Sequence, residues 1–174
     1  MNGKLSKPTI ALHWITGVLF IGVIILGLYV EGLPRSPEKF ELLGIHKSLG
    51  VIILAVALIR IIWRFKEGPI TGVPEQNRAL QILAKSVQHL LLLATLLMPI
   101  SGIMMNTGGG RALEVFGVEI LAAGEKIEWL GSLGHTIHVI AAKIIIALIV
   151  LHVIGALKHQ LVNRDHAIER MFGR

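Results

Sequence analysis

Histidines inside apolar segments are the residues of this chain whose type and spacing suggest chemistry. The segment Gly134–His159 reads GHTIHVIAAKIIIALIVLHVIGALKH and carries four of the eight histidines. His138 and His152 are 14 residues apart. At about 3.6 residues per turn, both rings lie on one helix face, about 21 Å apart along the axis. Imidazoles are costly in lipid, which makes these two histidines functional candidates.

The composition indicates an integral membrane protein. Of the 174 residues 53% are hydrophobic and 16% are charged, with a mean hydropathy of +0.72, which is more apolar than a soluble domain of this length. There is no cysteine, so disulfides, iron–sulfur clusters and cysteine-bound zinc are excluded. The net charge of +6 is attributed to membrane topology rather than to nucleic-acid binding.

Four apolar segments, each long enough to cross a bilayer, predict the fold. They are Ile10–Val30, Gly44–Arg64, Val87–Met105 and Gly134–Lys158. We predict an all-α transmembrane four-helix bundle that forms one domain over residues 1–174. A soluble bundle would need polar helix faces, which these segments lack. The long third connection, Asn106–Leu133, is expected to contain a short interfacial helix.

Basic residues predict the orientation in the membrane. Ten lie at the N-terminus, in the second connection and in the C-terminal tail, against four in the first and third connections. The ten are Lys4, Lys7, Arg64, Lys66, Arg78, Lys85, Lys158, Arg164, Arg170 and Arg174, and the four are Arg35, Lys39, Arg111 and Lys126. Both termini are therefore expected to be cytoplasmic, and the first segment, which lacks a cleavage site, to be a retained helix.

The predicted depths sort the histidines into an inner and an outer layer, as two stacked haems would require. Each low-spin b haem takes two axial imidazoles, and haem iron accepts histidine readily. His13 is predicted to pair with His152 in the inner layer, and His46 with His138 in the outer layer. His89 has inner depth and is an alternative ligand to His13, although a helix-contact role is more usual.

Glycines close to the predicted ligands favour haem packing. Gly17, Gly50, Gly134 and Gly155 each lie three or four residues from one of these histidines. A small residue one turn from a ligand leaves room for a flat macrocycle. The alternative is that glycine is simply frequent in membrane helices.

Several polar residues at the predicted boundaries remain open to two interpretations. His159, seven residues after His152, is either a hydrogen-bond partner of a quinone carbonyl or an interfacial anchor. Like His89, it is also an alternative ligand of the haem iron. Trp14 is either part of an aromatic belt or a quinone contact. Lys47 and Arg60 are candidate partners of haem propionates.

Four motifs together resemble the bacterial cytochrome b561 family over nearly the whole chain. They are ALHW in the first segment, PRS in the first connection, GIHKSLG opening the second segment, and H-x13-H followed by ALKH in the fourth. The resemblance implies a four-helix di-haem cytochrome of the bacterial inner membrane. It also implies that His13 and His152 ligate one haem, and that His46 and His138 ligate the other.

The same resemblance implies a quinone site beside His159, with Trp14 near it. One branch of the family oxidises superoxide at the outer face and passes the electron through both haems to ubiquinone. Here Arg35, Lys39 and Lys47 form a local patch that could guide the anion. The outer connections nevertheless hold seven acids against four basic residues. The acids are Glu31, Glu38, Glu41, Glu114, Glu119, Glu125 and Glu128.

The chain is therefore predicted to be an oxidoreductase that transfers electrons across the membrane from superoxide to ubiquinone. The alternative is a cytochrome b subunit that relays electrons between a dehydrogenase, or another protein redox partner, and the quinone pool. A transporter that uses the same histidines without haem is disfavoured, because the spans lack the carboxylates of an ion path and no inverted repeat is apparent. No nucleic-acid partner is expected.

Overall fold

Four long helices make up most of the chain. The computed structural model describes residues 5–68 and 77–173. The helices are α1 (Lys7–Gly32), α2 (Pro37–Glu67), α3 (Arg78–Gly108) and α4 (Glu128–Lys158). Each contains a stretch that is long and apolar enough to cross a membrane. The predicted all-α transmembrane four-helix bundle is confirmed.

Every helix is longer than the apolar segment that predicted it, and polar caps explain the first turns of α1, α2 and α3. Ser6 Oγ accepts a hydrogen bond from the Thr9 amide, and Ser36 Oγ accepts one from the Lys39 amide. Asn77 Oδ1 accepts from the amides at the start of α3. Such caps satisfy amides that have no partner within the helix. Hydropathy marks only the part of a helix that lies in lipid, so the predicted bounds were too short.

The helices pack in chain order, α1 on α2, α2 on α3 and α3 on α4, with a small apolar core between them. The core residues are Phe20, Val23, Ile53, Ala94, Met98, Ala141 and Ile145. Close backbone contact is most extensive between α3 and α4, whereas α4 makes little with α1 or α2 in the described ranges. Side chains, and anything bound between them, must therefore connect α4 to the first two helices.

The connection between α3 and α4 contains a β-hairpin, so the expected interfacial helix is wrong. Strands β1 (Leu113–Val115) and β2 (Val118–Leu121) pair antiparallel. Phe116 and Gly117 form the turn with φ values of 49° and 82°, the left-handed conformation that two-residue hairpin turns require. The amide of Phe116 donates to Ser48 Oγ at 2.9 Å, which ties the hairpin to α2.

The C-terminal tail folds back onto α1. One turn of π-helix (His159–Asn163), called the π-turn below, follows α4. The short helix α5 (Ala167–Arg170) comes after it. Trp14 Nε1 donates to the carbonyl of Met171 at 2.7 Å, and the Trp14 indole stacks on Phe172. The start of α1 also contacts the end of α2, where Trp63 Nε1 donates to Thr9 Oγ1.

The helix ends that were predicted to be cytoplasmic thus meet on one side of the bundle. Lys4 and Arg174, two of the basic residues behind that prediction, lie outside the described residues. His166, in the tail, is exposed, and its hydrogen bond to Glu169 raises the pKa of the imidazole.

Candidate functional site

Two pairs of imidazoles face each other across the bundle, one at each level of α4. The rings of His13 on α1 and His152 on α4 have their centroids 6.2 Å apart, with 50° between the ring planes. The rings of His46 on α2 and His138 on α4 are also 6.2 Å apart, with 79° between planes. The structure therefore brings together the two pairs that the sequence predicted.

The 6.2 Å separation fits one metal ion between each pair of rings. A metal–imidazole bond is about 2.0 Å, and a ring nitrogen lies about 1.1 Å from its centroid, so two rings on opposite sides of one ion have centroids about 6.2 Å apart. Within residues 5–68 and 77–173, no group of three or more His, Asp or Glu side chains could hold a metal ion. Two protein ligands per site suit a metal whose remaining ligands come from a macrocycle, as in haem.

Glycines near three of the four histidines leave room for a flat group. A Cβ built on Gly17, Gly50 or Gly155 meets no other described atom within 4 Å. These glycines lie one turn from His13, His46 and His152, respectively. Together with the sparse backbone contact between α4 and the first two helices, this supports the predicted packing of a macrocycle at these positions.

Gly134 has a different role, and its predicted contribution to haem packing is wrong. A Cβ on Gly134 would lie 2.6 Å from the Met105 amide nitrogen and 2.8 Å from the Ser101 carbonyl oxygen. This glycine therefore permits α3 and α4 to approach closely, in the manner of small residues at membrane helix crossings. Although Gly134 is one turn from His138, it faces α3 and not the space beside the His138 imidazole.

Two other glycines, which the sequence did not single out, contact the outer pair of rings. A Cβ on Gly27 of α1 would lie 2.8 Å from Cε1 of His46, and one on Gly102 of α3 would lie 3.4 Å from Cε1 of His138. Both glycines are on helices that do not carry the histidine they contact. Spacing along a single helix therefore gave no signal for them.

The surroundings of His138 suit a ligand that binds through Nε2. Its Nδ1 lies 3.0 Å from Ser101 Oγ and 3.2 Å from the carbonyl oxygen of Met98. An Nδ1–H that donates to such an acceptor fixes the tautomer and leaves Nε2 for a metal. His46 Nδ1 is buried and makes no hydrogen bond of good geometry within the described residues.

The inner pair carries a positive charge beside it. The guanidinium of Arg60 on α2 lies 3.2 Å from Nδ1 of His13. A cation at this depth calls for a nearby anion, and a haem propionate has the required charge. The indole of Trp14 meets the His13 ring edge-on, with centroids 5.5 Å apart, and links the inner pair to the C-terminal tail.

A cavity of about 260 Å³ lies between α2 and the hairpin, and His46 is not part of its lining. Its polar lining includes Lys47, Ser48, Glu41 and Glu114. Lys47 Nζ donates to Asn106 Oδ1 at 3.3 Å. The cavity therefore combines one ammonium group with two carboxylates, at the level of α2 that also carries His46.

The other two residues of the predicted anion-guiding patch do not line this cavity. Lys39 Nζ donates to the Leu33 carbonyl at 2.7 Å and closes the C-terminal end of α1. The guanidinium of Arg35 lies over the Phe40 ring, 5.8 Å from its centroid. Of the three basic residues, Lys47 alone is part of the cavity wall.

His89 and His159 lie apart from the two pairs. His89 is exposed on α3, and its Nδ1 contacts the Lys85 carbonyl oxygen at 2.6 Å. The structure pairs His152 with His13 rather than with His89. His159 begins the π-turn, where its Nδ1 lies 2.5 Å from a carboxylate oxygen of Asp165.

Comparison with known proteins agrees with this geometry. A family model described as prokaryotic cytochrome b561 matches residues 4–174. Cytochrome b561 homolog 2 of Escherichia coli (strain K12) is 27% identical, over 94% of this chain and 88% of the relative. Cytochrome b562 of Cereibacter sphaeroides is 32% identical, over 95% of this chain and 93% of the relative.

A third relative, from Yersinia pestis, carries the name probable superoxide oxidase CybB. It is 28% identical, over 98% of this chain and 97% of the relative. The family match covers almost the whole chain and all four helices. The chain therefore belongs to the prokaryotic cytochrome b561 family, membrane redox proteins that bind b-type haem and transfer electrons across the membrane.

Proposed function

We propose that this chain conducts electrons through two b haems, one held by His13 and His152 and the other by His46 and His138. The observation that carries the proposal is the equal 6.2 Å separation within both pairs. Because their α4 members are 14 residues apart, the two sites lie about 21 Å apart along the helix axis. One haem is then near each membrane surface, and the haems supply the one-electron chemistry.

The side chains around each site position the ligands and set the local charge. Ser101 and the Met98 carbonyl hold Nδ1 of His138, so the ring presents Nε2. Arg60 complements a propionate of the inner haem, and its positive charge favours the reduced iron. Apolar side chains of the four helices keep bulk water from the path between the two sites.

The proposed donor is superoxide, which approaches through the cavity between α2 and the hairpin. The Lys47 ammonium in the cavity wall attracts the anion, and the likeness to a probable superoxide oxidase supports this donor. Two superoxide anions each lose one electron and become O₂. Ubiquinone at the inner end takes up the two electrons and two protons and becomes ubiquinol.

The proposed acceptor site lies at the cytoplasmic end of the bundle, near His159 and Trp14. The charge asymmetry of the connections supports this orientation, with both termini in the cytoplasm and the protein in the bacterial inner membrane. His159 lies two turns beyond His152. An imidazole can both accept and donate a proton, so this side chain is suited to transferring protons to a reduced quinone.

The outer hairpin favours a second candidate, a relay that receives electrons from a protein partner. Phe116, Val118 and Ile120 are each more than half exposed, and Glu114 and Glu119 lie among them. Exposed apolar residues bordered by charges are typical of protein contact surfaces. A redox protein with a basic surface would suit this hairpin.

A pair of charge substitutions in the outer cavity distinguishes the two donors. We expect Lys47→Gln to slow the reduction of the haems by superoxide several-fold, and Glu114→Gln to accelerate it by a similar factor, because the substrate is an anion. Stopped-flow absorbance of the haem α-band, at two ionic strengths, measures both rates. Haem content is measured in parallel, so that lost cofactor is not mistaken for lost steering.

Superoxide is ruled out as the donor if the wild-type haems stay oxidised when it is supplied. A basic protein donor would produce the opposite response to the charge changes, with Glu114→Gln slowing reduction. Arg35→Gln is the matched control, since Arg35 does not line the cavity, and it should leave the rate within about twofold of wild type.

A further inference from the structure

The turn that follows α4 is built to hold one carboxylate against His159. The regular helix gives way to the π-turn at His159, a form of helix that often accompanies functional sites. Arg164 and His166 then adopt φ values of 54° and 61°, which are unfavourable for residues with a side chain. Asp165, between them, is directed back toward the end of α4.

Asp165 makes contacts with both of its carboxylate oxygens. Oδ2 lies 2.5 Å from Nδ1 of His159, and Oδ1 accepts a hydrogen bond from the Ala167 amide at 3.2 Å. The side chains of His159 and Asp165 are only 16% and 18% exposed. The amide nitrogen of Asn163 is 3.2 Å from the same Nδ1, which is farther than the carboxylate oxygen of Asp165.

The tail that carries Asp165 is also attached at its other end. Gln160 Nε2 donates to Glu169 Oε1 at 3.0 Å, and Gln160 Oε1 accepts from the Ile168 amide. Met171 and Phe172 contact the Trp14 indole. The carboxylate is thus held in place by several independent contacts at the inner end of the bundle.

We infer that Asp165 is a positioning residue for proton transfer from His159 to the quinone, an inference that rests on the quinone-reducing function proposed above. A carboxylate that accepts a hydrogen bond from Nδ1–H fixes the tautomer of the imidazole and stabilises the imidazolium. The Nε2–H bond of that imidazolium then breaks while an O–H bond forms on the reduced quinone. Water on the cytoplasmic side returns a proton to Nε2.

The test uses the full-length, haem-loaded protein and a short-tailed ubiquinone, with superoxide as reductant. We expect Asp165→Asn to lower kcat for ubiquinol formation about 10- to 100-fold, the usual effect of removing a supporting carboxylate. KM should change little, because Asp165 lies on the Nδ1 side of the His159 ring and the proposed quinone lies on the Nε2 side. Asparagine keeps an oxygen for the Ala167 amide, so the turn is preserved. Asp165→Glu should recover part of the rate.

Two comparisons separate positioning from a structural role. In a His159→Gln background, Asp165→Asn should have almost no further effect, because the group it serves is already gone. Glu67→Gln is the matched control: it removes a carboxylate at the end of α2, outside the tail that carries Asp165, where Glu67 accepts a hydrogen bond from Thr9 Oγ1. This variant should leave kcat near the wild-type value. Haem content, Tm and the rate of haem reduction by superoxide should match wild type in Asp165→Asn.

The outcomes also separate this inference from the function on which it rests. If the superoxide-reduced wild-type haems do not reduce the ubiquinone, the proposed quinone reduction itself is wrong. If the wild type does so and Asp165→Asn turns over equally fast, only the role of Asp165 is wrong. That role is likewise overturned if Asp165→Asn slows the His159→Gln variant as much as it slows wild type.

Discussion

Replacing His46 with alanine is expected to leave one haem per chain in place of two. His46 faces His138 at 6.2 Å across the outer site, and loss of one axial imidazole leaves the iron with a single protein ligand. The inner pair lies about 21 Å away along α4 and shares no ligand with the outer pair. A pyridine haemochrome assay against protein concentration measures the loss. A redox titration shows which of the two components disappears.

His13→Ala is the reciprocal variant, and it should remove the inner component while the outer one remains. His89→Ala is the matched control, because His89 is an intramembrane histidine that is exposed on α3 and pairs with neither site. It should retain both haems. The assigned pairs are wrong if His46→Ala and His13→Ala remove the same component, or if both variants keep the full haem content.

Gly134→Val is expected to destabilise the bundle by about 3 kcal/mol or more, since overpacking against backbone atoms cannot relax by a rotamer change. A Cβ at this position already lies 2.6 Å from the Met105 amide nitrogen and 2.8 Å from the Ser101 carbonyl oxygen. Ser101 also holds His138, so the outer haem should be released first on heating. Thermal unfolding in detergent, followed through the haem absorbance, measures both effects.

Gly22→Val is the matched control for this substitution. A Cβ on Gly22 meets no other described atom within 4 Å, so the added side chain has room. The control should unfold within a few degrees of wild type. If Gly134→Val and Gly22→Val unfold at the same temperature, the close crossing of α3 and α4 does not contribute to stability as described.

The helices could be predicted from periodicity within single segments, and the two imidazole pairs from the matching depths of histidines on different segments. An apolar run of about 20 residues indicates a spanning helix, and the 14-residue interval from His138 to His152 places the rings on one face. Helix ends were less accessible, because the caps at Ser6, Ser36 and Asn77 lie outside the apolar runs.

The β-hairpin, in contrast to the helix ends, has a signal in the local sequence. The runs LEV and VEI alternate apolar and polar residues on either side of Phe116 and Gly117, which is the pattern of a strand–turn–strand unit. The contacts of Gly27, Gly102 and Ser101 with the histidines could not be predicted in this way. Each joins two different helices, and their relative rotation is determined by packing rather than by the sequence of either helix.

The most direct test of two haems held by paired imidazoles is a combined haem count and low-temperature EPR spectrum of the purified, full-length protein. Two b haems per chain are predicted, both low-spin in the ferric state, because each iron has two nitrogen ligands from the protein. A single haem per chain, or a high-spin ferric signal from either site in the intact protein, would contradict the two-site arrangement.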